Sequence, residues 1–159
     1  MISVFLSKLL TSRQANFTDE NISIFDLFFT MQPIESLVEL QRSIEKQYER
    51  KGLEIMLNFG KNISHTIISH FKKRFDMKGD QLKNVWLNMF SLSGFGKLEL
   101  VKLESNSAVF QTDSSTIAKI YLSKYKQQKQ PVCTIICGML ESYMKEITGK
   151  KYCVFELTF

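Results

Sequence analysis

The chain has 159 residues, of which 44% are hydrophobic and 13 are Phe. This length and composition predict one domain over residues 1–159 with an aromatic-rich core, and they exclude a disordered or collagen-like chain. The 21 basic residues exceed the 16 acidic ones by five, without a polybasic tract. A solvated surface is therefore favoured over a nucleic-acid groove.

The N-terminal stretch "MISVFLSKLL" is apolar, but it lacks a basic leader region and a small-residue cleavage site. It is also shorter than the ~20 residues that a membrane-spanning helix needs. Three Cys without a pairing pattern favour a reducing, cytoplasmic setting. We expect residues 1–32 to form an N-terminal segment and hairpin that serves as a candidate dimerisation element.

The first half of the chain predicts a hairpin and two helices. The stretch "ANFTDENISIFDLFF" predicts two strands around a turn at residues 18–21. Pro33 suits the first position of a helix that ends at Lys51-Gly52. In the next helix, "LEIMLNFGKNISHTIISHFKKRF", Gly60 would allow close approach of another element. Its predicted buried face contains Met56, Phe59, Ile63, Ile67, Phe71 and Phe75.

The second half predicts a helix, two strands, two helices and a last strand. Apolar residues from Leu82 to Phe90 have helical spacing. "GFGKLELVKLESNSAVFQTD" switches to strand periodicity, with a bulge expected near Val101. Ser114 or Ser115 caps a short helix, Pro131 and Gly149 bound the last one, and "KKYCVFELTF" is the final strand. This order predicts an α+β fold with an antiparallel sheet packed against helices.

The residues give no positive support for catalysis. Cys133 and Cys137 are four apart on one helix, but free Cys is commonly a small buried hydrophobe, and zinc sites use four ligands. His65 and His70 are about 140° apart around a helix axis, so they do not chelate one ion. The glycines of "SGFG" stand in the wrong context for a dinucleotide-binding loop.

Aromatic residues offer the best candidate for a binding site, since small-molecule pockets are mostly apolar with a few polar groups. As a set, seven aromatic residues fit a pocket wall or plain core equally, and for each residue taken singly a core position is favoured: Phe59, Trp86, Phe90, Phe95, Phe110, Tyr121 and Tyr143. We predict a cavity between sheet and helices. Its predicted wall is Phe59, Trp86, Phe90, Phe110 and Tyr121.

Three stretches, "GFGKLEL", "AVFQTDSS" and "KQPVCTIICGMLESYMKEITGKKYCVFE", carry a resemblance over about residues 94–156. Together they resemble the 4-vinyl reductase domain family, which shares its fold with haem nitric-oxide sensors and TRAPP trafficking subunits. The resemblance implies that fold, the NO-signalling/Golgi-transport ligand-binding-domain type. It also implies a small-molecule-binding or sensory role, often as a dimer.

Family members with a metal site use a Cys at the start of the penultimate helix, a Glu on the last strand and two further Cys in a loop beyond that strand. By this resemblance, Cys133 and Glu156 match the first two positions, and Phe159 stands where the next Cys is expected. With these two ligands alone, a zinc ion would lack two of the four ligands that a structural site provides. We therefore expect only a partial motif, with no metal and no cofactor.

The resulting hypothesis is a homodimeric, cytoplasmic sensor that binds a hydrophobic or aromatic small molecule and acts through a separate output protein. Two alternatives from other classes stay open: a scaffold subunit whose core is filled by its own side chains, and a nucleic-acid-associated regulator. An enzyme is the weakest reading. The family name assigns no reaction to this chain, since fold does not fix function.

Overall fold

The computed structural model describes residues 4–105, 107–126 and 132–157. The chain divides into two compact units, Met1–Pro33 and Ile34–Phe159. The boundary lies one residue after the N-terminal segment that the sequence singles out. The composition predicts a single domain. The division into two compact units does not test that expectation, which stays a prediction.

The first unit contains one short helix and one small sheet. Helix α1 covers Val4–Thr11, and the three strands are β1 (Ala15–Phe17), β2 (Ile22–Ile24) and β3 (Leu27–Phe29). They pair antiparallel in the order β1-β2-β3. The predicted hairpin is present, and the sequence misses only its third strand. The second turn is formed by Phe25 and Asp26 with φ of 53° and 63°, a conformation for which Phe gives no sequence signal.

The second unit contains five helices and one hairpin among its described residues. Its elements in chain order are α2 (Ile34–Tyr48), α3 (Arg50–Phe75), α4 (Gly79–Leu92), β4 (Glu99–Leu103), β5 (Ala108–Gln111), α5 (Thr116–Tyr125) and α6 (Thr134–Thr148). Strands β4 and β5 pair antiparallel, with the predicted irregularity between Leu100 and Lys102. The α+β class is confirmed.

Local signals explain most of the helix ends. Helix α2 begins directly after Pro33, whose fixed φ suits that position. The Ser115 hydroxyl accepts a hydrogen bond from the Ala118 amide and caps α5. Gly149 ends α6 at a φ of 72°, where a residue with a Cβ would be strained. Pro131, the predicted start of the last helix, lies outside the described residues.

Three expectations about the elements are wrong. The break between α2 and α3 lies at Glu49, with a φ of 47°, and Gly52 lies inside α3, where it allows close approach to the Ile44 carbonyl. The described residues form two separate sheets, whereas the sequence predicts one. Residues 151–157 form no strand, although their side chains alternate between more and less exposed, because they pair with no described strand.

The backbones of α3 and α6 meet in a close contact. A Cβ at Gly60 would lie 2.1 Å from the Ile135 carbonyl oxygen, and a Cβ at Gly138 would lie 2.0 Å from the Leu57 carbonyl oxygen. Only glycine fits at either position, since real Cβ contacts are never this short. The predicted close approach at Gly60 is confirmed.

The buried face of α3 follows from this contact. It contains Gly52, Met56, Gly60, Ser64, Ile67, Ile68 and Phe71. The predicted stripe therefore holds at Met56, Ile67 and Phe71, whereas Phe59 is 39% exposed. An aromatic residue such as Phe59 is normally expected in the core. Here the small residues Gly60 and Ser64 occupy the side of α3 that faces α6, so Phe59 lies on a more exposed side of the helix.

Among the described residues, helices that combine the length and the hydrophobicity required to cross a bilayer are absent.

We predict that Gly60→Ala destabilises the protein by about 1–3 kcal/mol or more, since the new methyl group collides with fixed backbone. Urea unfolding measures the loss. The control is Asn62→Ala, an exposed position of the same helix, which should change stability by less than about 0.5 kcal/mol. Equal stability of the Gly60→Ala and Asn62→Ala variants would contradict the close contact.

Candidate functional site

Aromatic side chains from α4, α6 and β5 form one cluster in the second unit. The ring of Trp86 stacks on the ring of Tyr143 with centroids 4.2 Å apart and an interplanar angle of 22°. Phe90 lies 5.5 Å from Trp86, and Phe110 meets Tyr143 edge-on at 6.0 Å. Trp86, Phe90 and Tyr143 are buried, while Phe110 is partly exposed. The cluster therefore lies between the helices and the β4-β5 hairpin.

Three polar atoms lie within or beside this aromatic cluster. The Trp86 Nε1–H donates to the Ser64 hydroxyl at 2.8 Å, and Ser64 is fully buried. The Tyr143 hydroxyl is also buried, and it has no hydrogen-bond partner within the described part of the chain. An unsatisfied buried hydroxyl costs about 1–3 kcal/mol. It is the kind of group that a ligand or a water molecule would satisfy.

The Tyr143 hydroxyl stays protonated in this environment. Burial, and to a smaller extent the negative charge of Asp80, raises the pKa of Tyr143. A neutral phenolic hydroxyl can donate one hydrogen bond and accept another. The cluster therefore combines aromatic rings with one hydroxyl group that can form hydrogen bonds with a polar group.

The five predicted wall residues fall into three places. Trp86, Phe90 and Phe110 belong to the cluster, where Tyr143 links Phe110 to the other two rings. Tyr121 is buried, but its ring meets Tyr125 on α5 at 5.2 Å. Phe59 is 39% exposed. Whether these residues line a ligand pocket stays a prediction.

Sequence reasoning left two residues of the cluster out of the predicted wall. Tyr143 shows helical spacing with other apolar residues of α6, so its core position is readable and its unpaired hydroxyl is not. Ser64 is a polar residue four positions after Gly60 on the buried face of α3. A polar residue inside an apolar stripe is the signal that could have marked it.

Tyr121 takes part in a separate polar cluster between α2 and α5. Its hydroxyl donates to the Glu45 carboxylate at 2.6 Å and accepts a hydrogen bond from the Arg42 guanidinium at 3.2 Å. Burial, followed by the bond to Glu45, raises the pKa of Tyr121 to about 12. Tyr121 therefore remains a hydrogen-bond donor at neutral pH.

The partial metal motif is brought together at the N-terminus of α6. The Glu156 Oε2 atom accepts hydrogen bonds from the Val132 amide at 2.7 Å and from the Cys133 amide at 3.0 Å. A carboxylate at this place also interacts favourably with the helix dipole. Glu156 therefore caps α6 from a distant part of the chain.

These residues do not fit a four-ligand zinc site. Cys133 and Glu156 supply two of the four ligands that a structural zinc site uses, and burial raises the pKa of the Cys133 and Cys137 thiols to about 12. Residues 4–105, 107–126 and 132–157 contain no group of three or more metal-ligating side chains. The expectation that this chain binds no metal stays a prediction.

His65 lies in a hydrogen-bonded line on the surface. Its Nε2 atom is 3.3 Å from the Ser69 hydroxyl, and its Nδ1 atom is 3.5 Å from Glu146. Glu146 also pairs with Lys72 at 2.5 Å, and the Lys72 contact lowers the pKa of Glu146. Since 63% of the His65 side chain is exposed, this line is a solvated ion-pair network.

Comparison with known proteins finds similarity in structure alone. No protein-family model matches the chain, and no curated protein matches its sequence. The chain is similar in structure to the phenol-responsive sensory domain of the transcription activator PoxR, solved with phenol. The TM-score is 0.75 at 13% sequence identity, over 94% of this chain and 81% of that one. At this sequence identity the likeness shows that the two chains share a fold.

We predict that a thiol reagent at neutral pH modifies one cysteine rapidly, Cys153, because it is the exposed one. Cys133 and Cys137 should react only as the protein unfolds, since burial keeps their thiols protonated. Mass spectrometry of the labelled protein counts the modified thiols. A Cys153→Ser variant, as the control, should lose the rapid phase.

The same samples test the metal prediction. Metal analysis should find far less than one zinc ion per chain, before and after the thiols are labelled. Near-stoichiometric zinc that disappears in a Cys133→Ser variant would contradict the interpretation of the partial motif.

Proposed function

We propose that the chain is a small-molecule sensor domain that binds a hydrophobic or aromatic ligand between its helices and the β4-β5 hairpin. The observation that carries the proposal is the Tyr143 hydroxyl, which is buried and unpaired beside the stacked Trp86 ring. The 4-vinyl reductase resemblance and the likeness to a phenol-responsive domain support the same reading. The likeness to the phenol-responsive domain concerns the fold alone, since the sequence identity is 13%.

The geometry favours a ligand with one aromatic ring and one hydroxyl group. The ring would extend the stacking of Trp86 and Tyr143, since offset-stacked and edge-on aromatic pairs are favourable. The ligand hydroxyl would satisfy Tyr143, which removes the cost of an unpaired buried group. Phe59 and Tyr121 belong to the proposed wall only if the bound ligand reaches beyond the cluster.

We further propose that the protein is a homodimer and that the first unit forms the contact. The strand register places six apolar side chains on one face of the β1-β2-β3 sheet: Ala15, Phe17, Ile22, Ile24, Leu27 and Phe29. Phe17 on this face is 63% exposed. A unit of this size buries too little surface to be stable alone, and symmetric dimers are the commonest oligomers. A separate output protein would then read the state of the dimer.

We predict that phenol stabilises the protein against heat and quenches the fluorescence of Trp86, the single Trp of the chain, because a ligand that binds only the folded state stabilises it. Toluene, which lacks the hydroxyl, should bind more weakly. Tyr143→Phe should remove most of the preference for phenol, roughly fivefold to tenfold in affinity for one hydrogen bond. Titration followed by Trp fluorescence measures each affinity.

The matched control is Tyr48→Phe, which removes the hydroxyl of a Tyr that is 48% exposed. This variant should keep the preference for phenol. If neither phenol nor toluene binds the unaltered protein, the proposal fails and the scaffold alternative takes its place. Equal preference for phenol in the unaltered protein and the Tyr143→Phe variant would contradict the role of Tyr143.

We predict that the protein sediments at twice the 18.5 kDa of one chain at micromolar concentration. Phe17→Asp should shift it to the monomer, since a charge on an apolar contact face is strongly unfavourable. Asn16→Asp is the control, because Asn16 lies on the opposite face of the same strand. A monomer in the unaltered protein would contradict the dimer proposal and leave the ligand proposal standing.

A further inference from the structure

A continuous chain of hydrogen bonds runs from α5 to the C-terminal segment, defined here as residues 151–157. It starts at the Tyr121 hydroxyl, which donates to Glu45 Oε2 at 2.6 Å. The other oxygen of the same carboxylate accepts from the Gln41 amide at 2.7 Å. Glu45 thereby fixes α5 and the Gln41 side chain through one rigid group.

The series of hydrogen bonds continues through the two peptide units of Val132. The Gln41 Nε2 atom also donates to the Val132 carbonyl oxygen at 3.1 Å. The Val132 amide in turn donates to Glu156 Oε2 at 2.7 Å. Val132 is therefore held on one side by α2 and on the other side by the C-terminal segment, directly before α6 begins.

Gln41 is suited to act as a fixed link. It is fully buried, and its Oε1 atom has no partner in the described part of the chain. Turning the amide over would place this oxygen against two acceptors, Glu45 Oε1 and the Val132 carbonyl, so only the observed orientation is allowed. The Gln41 amide is thus positioned by its two donated bonds, and a shift of Glu45 reaches Val132.

The C-terminal segment depends on few bonds. It forms no strand, and apart from Glu156 it is attached by the Val154 amide, which donates to Glu141 at 3.1 Å. Phe155 and Leu157 are 78% and 71% exposed. A segment with little buried apolar surface opens locally at small free-energy cost, so the loss of one anchor changes its population of open states.

We propose that this hydrogen-bonded chain couples the position of α5 to the order of the C-terminal segment. The coupling exists in the ligand-free protein. Its use in signalling rests on the proposed function: a ligand that reaches beyond the Trp86 cluster and displaces Tyr121 would weaken the attachment of the C-terminal segment, and an output partner would bind the segment in its open state. Both ends of this series of hydrogen bonds, Tyr121 and Glu156, act on the same element, the Val132 backbone. A shared element of this kind is the physical requirement for coupling.

The test compares two hydroxyl deletions on one helix in the ligand-free, full chain. Tyr121→Phe keeps the ring and removes both hydrogen bonds of the hydroxyl, the one to Glu45 and the one from Arg42. Tyr125→Phe is the control, since the Tyr125 hydroxyl donates to the exposed carboxylate of Glu39 at 2.5 Å. Amide hydrogen exchange followed by NMR measures the opening of Val132, Cys133 and the C-terminal segment.

We expect Tyr121→Phe to speed exchange at these amides by about threefold or more, the effect of breaking one member of a connected network. Tyr125→Phe should leave it unchanged. In a Glu156→Met background, the hydrogen bonds that join Val132 and Cys133 to the C-terminal segment are already absent. Tyr121→Phe should therefore no longer change amide exchange in that segment. Gln41→Met removes the two hydrogen bonds that the Gln41 side chain donates, so it should speed amide exchange as Tyr121→Phe does.

Three results would overturn the proposal. They are unchanged exchange in Tyr121→Phe, equal acceleration in the Tyr125→Phe control, and an undiminished effect in the Glu156→Met background. Because no ligand is added, a failure here leaves the ligand-binding proposal untouched, and a failure to bind phenol leaves the coupling untouched.

Discussion

The second unit depends on one constraint, the backbone contact between α3 and α6 at Gly60 and Gly138. Each glycine lies against a carbonyl oxygen of the other helix at a distance that excludes a Cβ. Close backbone approach maximises dispersion contacts and allows weak Cα–H···O interactions. The Lys61–Glu141 ion pair, at 2.7 Å, borders the contact. The long helix α3 and the buried helix α6 are thereby fixed in register.

The candidate site follows from this register. One turn beyond the two glycines, Ser64 on α3 and Tyr143 on α6 are both fully buried. Trp86 of α4 contacts both, through a hydrogen bond to Ser64 and a stacked ring on Tyr143. A site built on helices in this way is more rigid than a site on loops.

The elements and most of the core were readable from the sequence because they rest on local signals. Helical spacing around Trp86, the cap at Ser115 and the turn at Gly149 need no knowledge of the rest of the chain. The outward position of Phe59 was not readable, since which side of α3 faces α6 is decided by Gly60. The Phe25-Asp26 turn was missed because its φ angles contradict residue preferences. A final strand was predicted after the turn at Gly149, yet a strand needs a partner, and the residues of the stretch do not supply one.

The candidate site was predictable only in part. Aromatic content and spacing identify Trp86, Phe90 and Phe110, but not that Tyr143 joins them or that its hydroxyl is unpaired, since both depend on tertiary contacts. The most direct test is a crystal structure of the protein grown with phenol. We predict a phenol ring against Trp86 and Tyr143, with its oxygen about 2.5–3.0 Å from the Tyr143 hydroxyl. A Tyr143 hydroxyl bonded to protein atoms, with no phenol beside the Trp86 and Tyr143 rings, would contradict the account.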